Sequence, residues 1–196
     1  MKEIAVIDYN AGNIQSVLFA LDRLNVKAVL TRDPDRLYRA DKIIFPGVGE
    51  ASTTMNYLLT HNLDEVIRTY ERPFLGICLG LQLMCRHSTE GNVDCLNVFD
   101  IPVVRFSEMK GLKVPHMGWN SVSFSDHPLL HNIDQDSYFY FVHSYYAAVS
   151  ESTIGTTHYG VEFTSVLARD NYIATQFHPE KSGPVGQTLL QNFINL

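Results

Sequence analysis

The first third of the chain constrains the fold most, because its apolar residues change period from one segment to the next. Glu3-Ile4-Ala5-Val6-Ile7-Asp8 is a short apolar run between polar ends, the pattern of a strand buried on both faces of a parallel sheet. Ile14, Val17, Leu18, Leu21 and Leu24 then recur at helical spacing. They predict an amphipathic helix over 13–24, opened by the Asn10-Ala11-Gly12-Asn13 turn. A second strand follows over 26–31, Asp33-Pro34 supplies an N-cap and first helical position, and Lys42-Ile43-Ile44-Phe45 is a third strand. Helical stretches near 50–59 and 62–71 lead to the buried strand Pro73-Phe74-Leu75-Gly76-Ile77. Strand and helix in strict alternation predict a doubly wound α/β sheet.

Beyond residue 96 the character shifts to short β-rich runs at 138–142, 145–149, 165–168 and 172–177, and the chain closes on a helix from about Pro184. No linker, repeat or low-complexity segment intervenes. We therefore read residues 1–196 as a single domain: an open, mixed, mostly parallel sheet flanked by helices, with the second half adding strands to the same sheet.

Composition narrows the function. With 45% hydrophobic and 18% charged residues the chain is globular, neither disordered nor coiled coil. A net charge of −6 without any run of like charges argues against nucleic acid as a partner, which would need a basic face. No stretch approaches the ~18 apolar residues of a membrane span, and the first residues lack the apolar core of a signal peptide. The expectation is a soluble cytoplasmic protein with no membrane partner. Cys78, Cys85 and Cys95 are odd in number and sparse, as for reduced thiols. No C-x-x-C or zinc-type spacing, Walker loop or G-x-G-x-x-G occurs, so neither a metal nor a nucleotide cofactor is expected.

One thiol stands apart. Gly76-Ile77-Cys78-Leu79-Gly80 places a cysteine where a strand turns directly into a helix, flanked by glycines at two residues on either side. This is the pattern of a nucleophile elbow, with the sulfur at a helix N-terminus that favours a thiolate. Cys85, on the apolar side of the following helix, and Cys95, in a loop, have no such context and are read as structural. A thiolate needs a base, and the base an orienting carboxylate. Phe177-His178-Pro179-Glu180 ends a buried strand, and in an extended segment Glu180 projects to the same side as His178. A third element, Phe45-Pro46-Gly47-Val48-Gly49, ends a strand in a glycine-flanked loop whose backbone N–H groups could face a developing oxyanion.

These three motifs, in this order and spread over essentially the whole chain, resemble the class I (triad) glutamine amidotransferases. Within that class, Pro-Gly-Val-Gly in place of the commoner Pro-Gly-Gly, with Pro115-His116-Met117-Gly118-Trp119-Asn120, Phe141-Val142-His143-Ser144-Tyr145-Tyr146 and His178-Pro179-Glu180-Lys181-Ser182-Gly183, is similar to one family. That family comprises the glutaminase subunits of imidazole glycerol phosphate synthase, in histidine biosynthesis. The resemblance implies Cys78 as nucleophile, His178 as general base and acid, and Glu180 as orienting carboxylate. It further implies oxyanion donors from the backbone of Leu79 and, after a peptide rearrangement, Val48. A glutamine pocket would be lined by Gly47, Gly49, Gln82, His143 and Ser144. The implied partner is a (β/α)8 cyclase subunit forming a heterodimer through Asn13, His116, Met117, Trp119 and Lys181. Rival readings are a paralogue that supplies ammonia to another acceptor, a stand-alone cysteine hydrolase of the same superfamily, and a scaffold subunit with a decayed site. The intact Cys78, His178 and Glu180 disfavour the last.

Overall fold

Alternate residues of each inner strand feed opposite layers of the core. The computed structural model describes residues 3–9, 14–107 and 112–196. In β1 (Ile4–Ile7), Ala5 and Ile7 join one apolar cluster while Ile4 and Val6 join the other. A strand flanked by helices on both faces must do this, because its side chains alternate across the sheet. The chain continues through α1 (Ile14–Arg23), β2 (Ala28–Thr31), α2 (Pro34–Arg39), β3 (Lys42–Phe45), α3 (Ala51–Thr60), α4 (Leu63–Thr69), β4 (Phe74–Ile77) and α5 (Leu79–Met84). Helices α2 to α5 pack on the first cluster; α1 and the closing helix pack on the second. Asp33 caps α2 by accepting the Asp35 N–H at 3.0 Å, with Pro34 as the first helical residue. These bounds agree with the periods read from the sequence.

The second half runs through β5 (His87–Ser88), β6 (Val93–Asp94), β7 (Pro102–Arg105), β8 (His116–Phe124), β9 (Ser137–His143), β10 (Tyr145–Ala147), β11 (Thr153–Tyr159), β12 (Val161–Arg169), β13 (Tyr172–Thr175) and α6 (Gly183–Asn195). The large sheet has the order β2-β1-β3-β4-β13-β12-β11-β8-β9. It is parallel from β2 to β13 and antiparallel from β13 to β9. One expectation is corrected here. The run at 145–149 does not join this sheet: β10 pairs with β7 in a separate four-stranded sheet of order β10-β7-β5-β6. The backbone breaks pairing at Ser144, between β9 and β10, so the two adjacent β-rich runs serve different sheets. Strands β8 and β11 carry no continuous apolar run and are not evident in the sequence. Their partners across the ladder determine them. Among the described residues no helix is long and apolar enough to cross a membrane.

Candidate active site

Three adjacent strands deliver the three motifs to one end of the sheet. β4 stands between β3 and β13, so the residues after β3, β4 and β13 meet side by side where an open α/β sheet places its ligands. Cys78 follows β4 with φ 52° and ψ −103°, a combination costly for any residue but glycine and one that persists where the surroundings over-determine it. The strain therefore falls on the cysteine. The glycines serve close packing instead: a Cβ on Gly80 would collide with the Phe45 carbonyl, and one on Gly47 with the Gly80 N–H. The loop after β3 is thereby pressed onto the elbow. Gly49, with φ 139°, is the conformationally free residue of that loop.

His178 lies just beyond β13, 1% exposed, with Nδ1 2.8 Å from Glu180 Oε1. The pairing is as expected but its route differs. Residues Pro179–Lys181 form a 3₁₀ turn rather than an extended segment, and the turn brings the carboxylate back under the ring. Since a carboxylate accepts, Nδ1 carries the proton and Nε2 is left for Cys78. Burial disfavours the imidazolium, yet the adjacent Cys78 sulfur and the Glu180 carboxylate outweigh it and raise the His178 pKa to about 10. His178→Asn is expected to cost about ten- to a hundredfold more glutaminase rate than Glu180→Gln, because the carboxylate carries no proton itself. Steady-state rates of the two folded variants decide this, and equal losses would give Glu180 another role.

A cavity of about 330 Å³ opens beside the sulfur. Gly47, Val48, Gly49, Cys78, Leu79, Gln82, His143 and Ser144 all line it, so every residue expected at the oxyanion and glutamine sites is brought together. Its wall also holds Glu90 and, from the family motifs, Pro115, Val142 and Tyr145, none of which was expected in the site. Glu90 accepts the Ala51 N–H at 2.9 Å, and burial raises its carboxyl above the usual range. Nothing in the spacing around Ser88-Thr89-Glu90 marks it, since it reaches the cavity from the small sheet. Tyr9 was equally unmarked. Its hydroxyl donates to the Pro46 carbonyl at 2.6 Å and accepts the Val48 N–H at 3.2 Å, so the Val48 donor is already engaged.

His143 enters this wall with both ring nitrogens committed. The Tyr145 carbonyl, 2.7 Å away, accepts from Nδ1, which leaves Nε2 to accept from His116 Nδ1 at 3.0 Å. His116 Nε2 in turn accepts from Asn120 Nδ2 at 3.3 Å. Burial holds both rings neutral, with pKa values lowered to about 3 for His143 and about 4 for His116. Both would gain protons on unfolding near pH 6.5, so their contribution to stability is intact above that pH and declines as pH falls toward 4. Each histidine is expected to remove roughly 1 kcal/mol per pH unit in that window. Chemical denaturation between pH 7 and 4 measures it, and His116→Phe should flatten the slope.

The residues expected at a partner interface separate by strand pleat. On the β8–β9 ladder Met117 and Trp119 point outward, 63% and 54% exposed, whereas His116 lies 3% exposed on the core side against Phe141 and Tyr159. Lys181 is exposed on the 3₁₀ turn, which β9 holds through the Tyr140 N–H to Ser182 Oγ bond of 3.0 Å. Asn13 lies outside the described residues. Among the described residues no group of three or more His, Cys, Asp or Glu is placed to hold a metal ion.

A strained cysteine elbow, a buried histidine–carboxylate pair just beyond the neighbouring strand and a cavity beside the sulfur define an amide-hydrolysing thiol site on an α/β sheet. The sequence matches the profile of the glutamine amidotransferase class-I family over residues 5–196. It is 53% identical over 195 residues to the imidazole glycerol phosphate synthase subunit HisH of Bacteroides thetaiotaomicron, covering 99% of this chain and 100% of the relative. It is 48% identical over 190 residues to the subunit HisH of Mannheimia succiniciproducens, covering 96% and 97%. Among solved structures, PurLQS from Thermotoga maritima superposes with a TM-score of 0.75 at 14% identity, covering 100% of this chain and 99% of that one. A crystal structure of a glutamine amidotransferase superposes with a TM-score of 0.75 at 16% identity over 97% of each chain. The chain belongs to the class-I glutamine amidotransferases, in the family of HisH subunits.

Proposed function

We propose that this chain is the glutaminase subunit of an imidazole glycerol phosphate synthase. The observation that carries the reading is the His178–Glu180 pair, buried just beyond the strand next to the Cys78 elbow. As His178 Nε2 takes up the Cys78 thiol proton, Cys78 Sγ attacks the carboxamide carbon of glutamine, and the tetrahedral oxyanion is held by the Leu79 N–H and, once it is turned inward, the Val48 N–H. His178 Nε2 delivers its proton to the leaving nitrogen, the C–N bond breaks, and ammonia departs from a thioester. Water then adds to the thioester as His178 takes its proton, glutamate leaves, and the thiol is restored. Glu90, the acidic residue in the cavity wall, suits the α-ammonium of glutamine.

Ammonia released into neutral water is mostly protonated and useless as a nucleophile, so an acceptor enzyme must receive it directly. The outward face of the β8–β9 ribbon fits such a partner: Met117, Trp119 and Tyr138 leave a large apolar and aromatic surface exposed beside Lys181. The partner we propose is a cyclase subunit of (β/α)8 form, in a heterodimer. Copurification with that subunit, followed by assay of glutamine-dependent amination of its ribonucleotide substrate, tests the reading. Glutamine hydrolysis that transfers nitrogen only to a different acceptor would replace it with the paralogue.

A further inference from the structure

Two carboxamides form a line that ends on the nucleophile. Gln82 Nε2 lies 2.8 Å from the Tyr145 carbonyl oxygen and 3.1 Å from Gln176 Oε1, while Gln176 Nε2 lies 3.7 Å from Cys78 Sγ. The sense of this line is fixed at its far end. A backbone carbonyl only accepts, so Gln82 must present its NH₂ group there, and the same NH₂ group requires the oxygen of Gln176. Reversing Gln176 would set two NH₂ groups against each other. Gln176 is fully buried beyond β13 and its own N–H donates to the Ser165 carbonyl at 2.8 Å, so neither its backbone nor its amide has freedom to turn.

We propose that Gln176 is a catalytic residue that donates a hydrogen bond to the Cys78 sulfur, and that Gln82 is the positioning residue that locks it in that sense. The inference rests on Cys78 being the nucleophile. In the thiol form Cys78 Sγ can donate to the Val142 carbonyl, 3.9 Å away. On ionisation that donor is lost and the carbonyl dipole becomes repulsive. A fixed N–H donor on the same sulfur then favours the thiolate and holds it in line for attack. Gln82 thus has two functions, because its amide nitrogen is committed to the relay although the residue lines the glutamine cavity.

The test is alkylation by iodoacetamide, in which Sγ displaces iodide from the small electrophile without need of the glutamine pocket. The titratable groups around the sulfur are His178 beyond β13, His143 at the end of β9, Tyr9 beyond β1 and Glu90 across the cavity, and all remain in the variants. Gln176→Met keeps the volume and removes the donor. Its second-order rate constant at pH 7 is expected to fall about three- to tenfold, since a charge-assisted hydrogen bond is lost while the intrinsic nucleophilicity of the sulfur rises in part compensation. The midpoint of the pH–rate profile should move to higher pH, with Cys78 as the labelled site by mass. A folded Gln176→Met chain with an unmoved profile overturns the proposal. Should Gln176→Met not fold, Gln82→Met decides: a smaller shift in the same direction supports the relay, and none overturns it. Failure of the glutaminase reading is a separate result, seen as glutamine turnover that survives Cys78→Ser.

Discussion

Cys78→Ala is expected to lower glutamine-dependent synthase activity by a factor on the order of 10⁴ or more, while activity with high external ammonium salts is retained. On the proposed function, the substitution removes the sulfur that forms the thioester and leaves the acceptor site on the partner untouched. The other thiols supply the control. Cys85 caps the end of α5, fully buried and donating to the Leu81 carbonyl at 3.4 Å, and burial pushes its thiol far above the usual range. Cys95 is likewise raised, to about 12, first by burial. Neither lines the cavity. Cys85→Ala should cost stability through the lost packing, yet each folded molecule should hydrolyse glutamine at close to the normal rate. Glutamate release and acceptor amination, both normalised to folded protein, measure the contrast. A folded Cys85→Ala chain as inactive as Cys78→Ala would falsify the assignment.

The isolated chain is expected to be a poor glutaminase whose kcat rises about 10²–10³-fold on binding an acceptor-loaded partner, with less change in KM. The Val48 peptide sets this expectation. Its N–H is engaged by the Tyr9 hydroxyl, which is itself anchored to the Pro46 carbonyl, so of the two proposed oxyanion donors only the Leu79 N–H is left. Gly49 at φ 139° can absorb a peptide rotation, whereas Gly47 is held by its contact with the elbow. A partner can drive the rotation only through contacts that differ between the two loop states. Tyr9→Phe removes the hydroxyl and should therefore raise the rate of the lone chain. A hydrogen bond worth about 1 kcal/mol shifts the equilibrium about fivefold. Turnover by the purified chain, with and without partner and in both variants, checks this. Full activity of the lone wild-type chain would favour a stand-alone hydrolase.

Much of the site was legible because its residue types sit at ends of apolar runs. Cys78 between Gly76 and Gly80, and His178 two residues before Glu180, carry local geometry that a reader of sequence can reconstruct. The local reasoning nonetheless differed from the structure in two places. The strained φ falls on Cys78 and not on its glycines, which are small for the sake of the loop pressed against them. Glu180 reaches His178 through a 3₁₀ turn where extended geometry was expected. Both differences arise from contacts with β3 and β9, remote in sequence. His116 shows the same limit: a motif segment expected at a partner surface alternates inward and outward once it becomes a strand, and the pleat buries His116 while exposing Met117 and Trp119.

The sequence by itself determined the alternation of strands and helices, the cysteine elbow and the pairing of His178 with Glu180, because hydrophobic period, flanking glycines and a two-residue spacing act over a few residues. Tertiary structure alone decided that β4 lies between β3 and β13, which places the loop after β3, Cys78 and His178 side by side. It also decided that Tyr9 holds the Val48 N–H, that Glu90 reaches the cavity from a second sheet, and that Gln82 and Gln176 point a donor at Cys78. Each of these is a hydrogen bond or a cavity wall between residues far apart in the chain. Partner choice at such distances is set by sheet order and burial, for which no local pattern of residues carries a record.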